Sequence, residues 1–573
     1  TLTYKIAYEL SKLKSKKQYI VAITYTNRAS VEIKDSIELM GVDTKQLWIG
    51  TIHAFCLEWI LRPYHLYISQ LKYGFRVINS HDSEEIITQL CKEYNESKGV
   101  TQKEGITFWD CSYIITENLK FRCTTPKEDK AVLSKIILKK YFRKLLKEHK
   151  IDFELILYYS LKILKENPSI SKILSNIFPY LIIDEYQDTR GIQYHIVSMI
   201  LNASNKESKL FMVGDPNQSI FESLGGYSIS KNDLETLTNL EIKEYELSDN
   251  YRSSSKIISY FDFYKTHPNN INASGKNKDH PSLITFNSQV TKDNLVEEVV
   301  RLIRFNINEQ GISQNEICVI APWWVHLLSL TRKVMAELPE YNFDGSGLAP
   351  FSRDIDNFWY KLSRIVLTEA SPNLYVRRLR WSGEVLEELD NIGVDISRIT
   401  KKGLLKECNS ISIDEEDGLV YLGLFFRELF NRFGIDKDFY PSLKEHHDAF
   451  FESSQRRIER LENDGIEYAG HISIFKKVFK EKDGITISTI HGVKGAEFDT
   501  VIAVGLLEGI VPHFNDINDD NVSDENRAKR LLYVIASRAR KNLHLISEER
   551  QDNFKNDYQV TNVLSKYKFQ YNE

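Results

Sequence analysis

Residues 180–189 read Tyr-Leu-Ile-Ile-Asp-Glu-Tyr-Gln-Asp-Thr, and this stretch constrains the fold more than any other. Four apolar or aromatic residues without alternation describe a strand buried on both faces, as strands in parallel α/β sheets are. Two adjacent carboxylates follow where that strand emerges. Ligands of open parallel sheets bind at the carboxyl ends of their strands. Asp184 there is suited to hold Mg²⁺ through its oxygens, and Glu185 to position and deprotonate a water. An apolar strand followed by an ordinary polar turn would look the same in isolation, so the rest of the chain must decide.

A chain of 573 residues exceeds one hydrophobic core and predicts about three to four domains. Its 42% hydrophobic and 27% charged content is that of an ordinary globular protein. No apolar run approaches the roughly 18 residues of a membrane span, and no signal-peptide pattern opens the sequence. We therefore expect no membrane association. The six cysteines form no C-x-x-C pair, which argues against a zinc site and for a reduced, cytoplasmic setting. A net charge of −5 excludes a uniformly basic surface but leaves room for a local nucleic-acid groove.

Strand and helix signals alternate at both ends of the chain, predicting an α/β protein with parallel sheets. Strands are expected at 19–23, 46–50, 180–183 and 209–215, the last one buried, and again at 317–320, 485–488 and 500–504. Between them lie two stretches of helical periodicity. We read two α/β domains, each interrupted by a helical insertion. The first comprises residues 1–59 and 176–249 with an insertion at 60–175; the second comprises 250–344 and 481–573 with a short insertion at 345–480. The lysine-rich segment 135–150 reads equally as a solvated helix face or a phosphate-tracking surface. Residues after Arg550 read as a short polar tail.

Seven short stretches then recur in a fixed order. They are Thr24-Tyr25-Thr26-Asn27-Arg28-Ala29, Gly50-Thr51-Ile52-His53-Ala54-Phe55, the stretch at Asp184, and Gly214-Asp215-Pro216-Asn217-Gln218-Ser219-Ile220-Phe221. Asn250-Tyr251-Arg252-Ser253 follows, then residues 488–498 around Thr489-Ile490-His491 and Lys494-Gly495-Ala496-Glu497, and finally Ser537-Arg538-Ala539. This ordered set resembles the superfamily 1 helicases of the UvrD/Rep/PcrA type. The resemblance covers nearly the whole chain and implies two RecA-like domains with insertions, the arrangement called 1A, 1B, 2A and 2B.

The resemblance implies ATP and Mg²⁺ as cofactors and phosphoryl transfer to water, a reaction of positioning and charge neutralisation. Asp184 would hold the metal, Glu185 would orient the water and Gln218 would sense the γ-phosphate. Arg252 and Arg538 would be arginine fingers, a task for which a planar, permanently charged group is suited; a surface ion pair is the alternative for each. Tyr251 would stack on adenine, unless it is a core aromatic, and Glu497, beside Gly495, would bind the ribose. Tyr25, Asn27, Thr51, His53, Phe221, Thr489 and His491 would contact DNA, single-stranded or at a single-strand–duplex junction. Stacking of an unpaired base is worth about 1–3 kcal/mol. The implied direction is 3′ to 5′.

Three features depart from the family pattern. No G-x-x-x-x-G-K-[ST] phosphate loop is present, and Gly275-Lys276 lies in a polar stretch with no strand signal before it. Residues 1–10 read as the helix that follows such a loop, so we expect the sequence as given to begin just after it. Taken literally, the residues present would bind ATP poorly. Ser223 and Leu224 stand where the family has an aromatic residue and an arginine, which removes one stacking contact unless Phe221 supplies it. The second insertion is short for strand separation. With Ile60-Leu61-Arg62-Pro63-Tyr64, that compactness is similar to the helicase-like subunit of the Gabija antiphage defence system. Three functions follow as expectations: a DNA helicase, an ATPase subunit regulating a nuclease partner, or an ATPase-inactive DNA-binding scaffold.

Overall fold

The computed structural model describes residues 2–100, 104–125, 128–222, 225–322, 324–344, 349–351, 357–463, 469–479, 484–513, 523–551 and 556–572. The first sheet has four parallel strands, β1 (Ile20–Thr24), β2 (Leu47–Thr51), β3 (Tyr180–Ile183) and β4 (Lys209–Met212), in the order β2-β1-β3-β4. Every residue of β1 and β3 is buried. Strand periodicity explains why both need continuous apolar runs. Val21, Ile23, Leu181 and Ile183 join the hydrophobic core on one face, and Ile20, Ala22, Tyr180 and Ile182 that on the other, with Ile6 and Ile37 of the flanking helices. The strand before Gln218 differs from expectation. β4 is the outermost strand and half-exposed, because no further strand of the described sheet covers its free edge.

Parallel register brings the strand ends level. Thr24 pairs with Thr51, and Ile23 with Ile183. Thr51, Asp184 and Gly214 therefore leave the sheet along one edge. Helices between β2 and β3, including Ser80–Lys98, Glu128–Lys147 and Phe153–Glu166, bury Leu61, Tyr141 and Ile156 in the same cluster as one face of this sheet.

The second sheet has six parallel strands: β5 (Ile284–Asn287), β6 (Ile317–Ala321), β7 (Phe343–Asp344), β8 (Ile485–Thr489), β9 (Phe498–Ala503) and β10 (Ala539–Ile546), ordered β5-β10-β9-β6-β8-β7. The same alternation holds, with Cys318 and Ile320 in one core and Ile317, Val319 and Ala321 in the other. The described residues within 351–479 form a helical unit with a separate aromatic core. Its Trp359 is 1% exposed and donates its indole N–H to Leu443 O at 2.8 Å.

Two expectations are corrected. The stretch after Arg550 is no polar tail. Its aromatic residues Tyr567, Phe569 and Tyr571 recur at alternate positions, and all three pack on Tyr260. Tyr567 stacks on Phe263 at 3.9 Å and 6°, and Asn572 exchanges hydrogen bonds with Ile284 at 2.8 and 2.9 Å, closing the edge strand β5. The Gly275-Lys276 pair does follow a strand, the two-residue Asn272–Ala273 paired with Asp249–Asn250. A Cβ at Gly275 would stand 2.0 Å from Tyr251 O, so this glycine permits a close backbone crossing.

The first sheet unit meets both the second sheet unit and the helical unit through fixed contacts. Buried Asn217 accepts from the Thr266 and His267 amides at 2.8 Å each and donates to His267 O at 3.1 Å. Arg380 of helix Pro372–Ile392 reaches Asp35 at 2.5 Å and Glu38 at 3.2 Å on helix Asn27–Leu39. Among the described residues no helix is long and apolar enough to cross a membrane.

Candidate functional site

The Asp184 amide donates to Ile23 O at 2.9 Å, the last rung of the β1–β3 ladder. The next residue breaks away. Glu185 takes φ 52° and ψ 46°, a left-handed conformation that L side chains rarely adopt, and such strain concentrates at functional sites. Its carboxylate accepts from Gln187 Nε2 at 2.6 Å, and Gln187 Oε1 in turn accepts from the Asp215 amide at 3.1 Å. Gln187 is wholly buried, so its amide fixes where Glu185 points. Gly214 is required here, because a Cβ would stand 2.1 Å from Gln187 Oε1.

Burial pushes the Asp184 carboxyl up to about 6, and the Glu185 charge beside it adds to the shift. Crowded, desolvated carboxylates of this kind fit a divalent cation, which would favour their charged form. Among the described residues no group of three or more His, Cys, Asp or Glu could hold a metal by itself. An ion at Asp184 would complete its shell with phosphate oxygens and water, as Mg²⁺ does.

Cations arrive from the second sheet unit. Arg538 follows helix Asp524–Ser537 and is 1% exposed. It donates to Val534 O at 3.2 Å and, across the cleft, to Gln218 Oε1 at 2.9 Å. Burial lowers its pKa to about 10, with the Arg252 charge acting in the same direction, and it remains charged at neutral pH. Gln218 also donates to Asp215 Oδ2 at 3.0 Å, an atom that accepts from Tyr533 OH at 3.0 Å. Arg252 and Glu497, expected on separate parts of a nucleotide, hold each other at 2.5 Å. Burial opposes the charge on Glu497, but Arg252 and Arg540 keep its carboxyl below the usual range. Tyr251 is 69% exposed, so it is not a core aromatic. Gly495 turns the chain before Glu497 with φ 81°.

Lys494 received no role from the sequence, yet it stands at the centre of the cleft. Its side chain is 8% exposed, pairs with the fully buried Asp188 and lies 3.9 Å from Glu185 Oε2. It donates to Gln218 O at 2.7 Å and sits 5.3 Å from the Phe221 ring centroid. Burial raises the Asp188 carboxyl to about 6 even against the Lys494 charge, and Asp188 Oδ1 accepts no hydrogen bond. Gln187, Asp188 and Lys494 were visible only as motif letters; their function lies in contacts between segments distant in sequence.

On the other side of Lys494 the expected nucleic-acid residues converge. Tyr25 and Phe221 lie 4.7 Å apart at 33°, and Phe221 and His491 lie 5.2 Å apart. Thr51 and Thr489 both use their hydroxyls to accept from backbone amides, of Ala54 at 3.3 Å and Gly492 at 3.1 Å. Their histidines are not equivalent. His491 joins the aromatic row, whereas His53 is half-buried and edge-on to Phe153 at 5.8 Å, its pKa lowered to about 4 by desolvation. His53 Nε2 has no partner. Tyr25, Thr51, His53, Asp184, Asp188 and Phe221 all line one cavity of about 460 Å³. The Asn27 side chain, Ser223 and Leu224 lie outside the described residues.

Comparison with known proteins matches residues 1–229 to the UvrD/REP helicase N-terminal domain and residues 438–550 to the UvrD-like helicase C-terminal domain. Among curated proteins, the chain is similar to the ATP-dependent DNA helicase PcrA of Staphylococcus epidermidis, 24% identical over 601 residues, covering 95% of this chain and 79% of that protein. PcrA of Staphylococcus aureus is likewise 24% identical over 599 residues, with the same coverage.

Proposed function

We propose that this chain, which belongs to the UvrD/Rep/PcrA-type superfamily 1 helicases, is a DNA helicase motor that hydrolyses ATP between its two sheet units and moves 3′ to 5′ on single-stranded DNA. The observation that carries the reading is the hydrogen bond from Arg538 to Gln218 across the cleft. A guanidinium buried to 1% exposure and aimed at the other unit's strand ends is poorly explained as a surface ion pair.

In this reading residues 1–59 with 176–249 and 250–344 with 481–573 are the two motor domains, and 60–175 and 345–480 are their insertions. Glu185, aimed by Gln187, orients the attacking water and accepts its proton. A Mg²⁺ ion at Asp184 supplies charge neutralisation on the phosphate oxygens when bound. Arg538 and Arg252 turn from Gln218 and Glu497 towards the γ-phosphate, leaving Gln218 to sense it and Glu497 to take the ribose. Tyr251 is free to cover the adenine. Tyr25, Phe221 and His491 stack unpaired bases, while Thr51, His53, Thr489 and Asn27 meet the strand beside them. Because Lys494 touches Asp188, the Gln218 backbone and the Phe221 ring, a change on either side is felt on the other.

The test is ATP hydrolysis by the full-length protein with and without single-stranded DNA. We expect Mg²⁺-dependent turnover stimulated at least about tenfold by DNA, with strand separation on a 3′-tailed duplex. Stimulated turnover without separation would favour an ATPase that regulates a nuclease partner. DNA binding without ATP binding would favour a scaffold.

A further inference from the structure

A second cavity, of about 310 Å³, opens where the first insertion meets the helical unit 351–479. Its walls include Arg62, His65, Phe75 and Arg76 from one side and Glu388 and His446 from the other. Phe153 is a wall of both this cavity and the one that holds Tyr25, Thr51 and His53. The two spaces are therefore neighbours across a single ring that is 39% exposed.

The charges around this second space are unequal. Glu388 is already neutralised by Lys361. Arg76 is paired with Glu445, whose side chain is 44% exposed. Among the described residues no ion pair or side-chain hydrogen bond involves the Arg62 guanidinium, and its backbone carbonyl meets His65 Nδ1 at 2.9 Å. His65 packs edge-on to Phe75 at 5.8 Å. The cavity thus offers one free guanidinium, a second paired with a solvent-facing carboxylate and within the field of Asp82, and an imidazole. Arginine forks match phosphate oxygens well.

We propose that Arg62, His65 and Arg76 form a phosphodiester subsite that receives the single strand after it passes Phe153, with Glu445 occupying Arg76 until the strand arrives. This rests on the strand-binding reading of the first cavity. A phosphate at Arg76 competes with Glu445 and so loosens one tie between the first insertion and the unit 351–479. The ties from Arg380 to Asp35 and Glu38 are untouched.

The experiment compares full-length wild type with Arg62→Ala/Arg76→Ala and with Glu445→Gln, by fluorescence anisotropy on oligothymidylates of about 4 to 20 nucleotides. Wild-type affinity should rise with length until the last subsite fills. The double variant should match wild type on the shortest strands, bind the longest about tenfold more weakly, and lose about 1.4 from its salt slope, as two lost phosphate contacts require. Glu445→Gln, which frees Arg76, should tighten the longest strands about threefold without altering the shortest, a gain that misfolding cannot imitate. Identical length profiles, a loss equal at every length, or no gain in Glu445→Gln would overturn the subsite. A calorimetric signal with inorganic phosphate alone, lost in the double variant while strand binding is unchanged, would mark a free-anion site and also overturn it. Wild type that binds no strand would overturn the reading on which the subsite rests.

Discussion

The two sheet units share a construction and differ in what they present. In each, a parallel strand ends in threonine and a histidine follows two residues later, Thr51 and His53 in one, Thr489 and His491 in the other. In each, alternate strand residues feed two cores. Yet the first unit sends carboxylates to the cleft, Asp184, Glu185 and Asp188, and the second sends cations, Lys494 and Arg538. Neither set is complete chemically. Asp184 and Asp188, raised by burial, need a cation, and a buried guanidinium needs an acceptor. The difference teaches that the site belongs to the interface, so opening the cleft dismantles it.

Substitutions break this complementarity from either side. Arg538→Ala should cost the largest factor, about 10³ in turnover, with nucleotide affinity nearly kept; Arg538→Lys should restore little, because lysine lacks the planar fork. Steady-state hydrolysis with nucleotide-binding titrations separates the two effects, and an equal loss of both would count against a finger. Glu185→Gln should lower hydrolysis about 10²-fold or more while leaving Mg-ATP binding intact, if proton acceptance is its task. On the strand side, Phe221→Ala should weaken single-stranded DNA binding about tenfold. It should cost more than His491→Ala, since Phe221 touches rings on both sides.

The smallest effect concerns acid. Burial lowers the pKa of His53 to about 4 and that of His544, in the second unit, also to about 4. Unfolded histidine titrates near 6.5, so between about 6.5 and 4 the unfolded chain binds more protons than the folded one. Stability contributed by the neutral rings is full above that window and falls as the pH drops through it. Asp184 and Asp188, raised to about 6, act in the opposite sense below pH 6, so the test compares variants. Between pH 7 and 5 the urea midpoint of His544→Gln should fall less, or rise more, than that of wild type.

Much of this was legible before the fold. Tyr180 to Thr189 announced a buried parallel strand with acids at its end, because a strand covered on both faces has no choice but a continuous apolar run. The ordered motifs include Gln218 and Arg538, which meet across the cleft. Sequence pattern failed where meaning depends on partners. Gln187 and Lys494 look like any polar residues until Gln187 is seen behind Glu185 and Lys494 against Asp188. The chain's end read as polar because its aromatic residues, at every second position, were diluted by Lys, Gln and Asn, though Tyr567, Phe569 and Tyr571 all pack on Tyr260.

Asp188 and Lys494 give the central claim its sharpest test, since each buried charge has the other unit for its partner. DNA-stimulated turnover should be measured for Lys494→Met, Asp188→Asn and the double variant. If the site is one unit spanning the cleft, the double variant will be no worse than the poorer single variant, a coupling of about 1–3 kcal/mol. Losses that simply multiply would show that the two residues act independently, and would contradict this account.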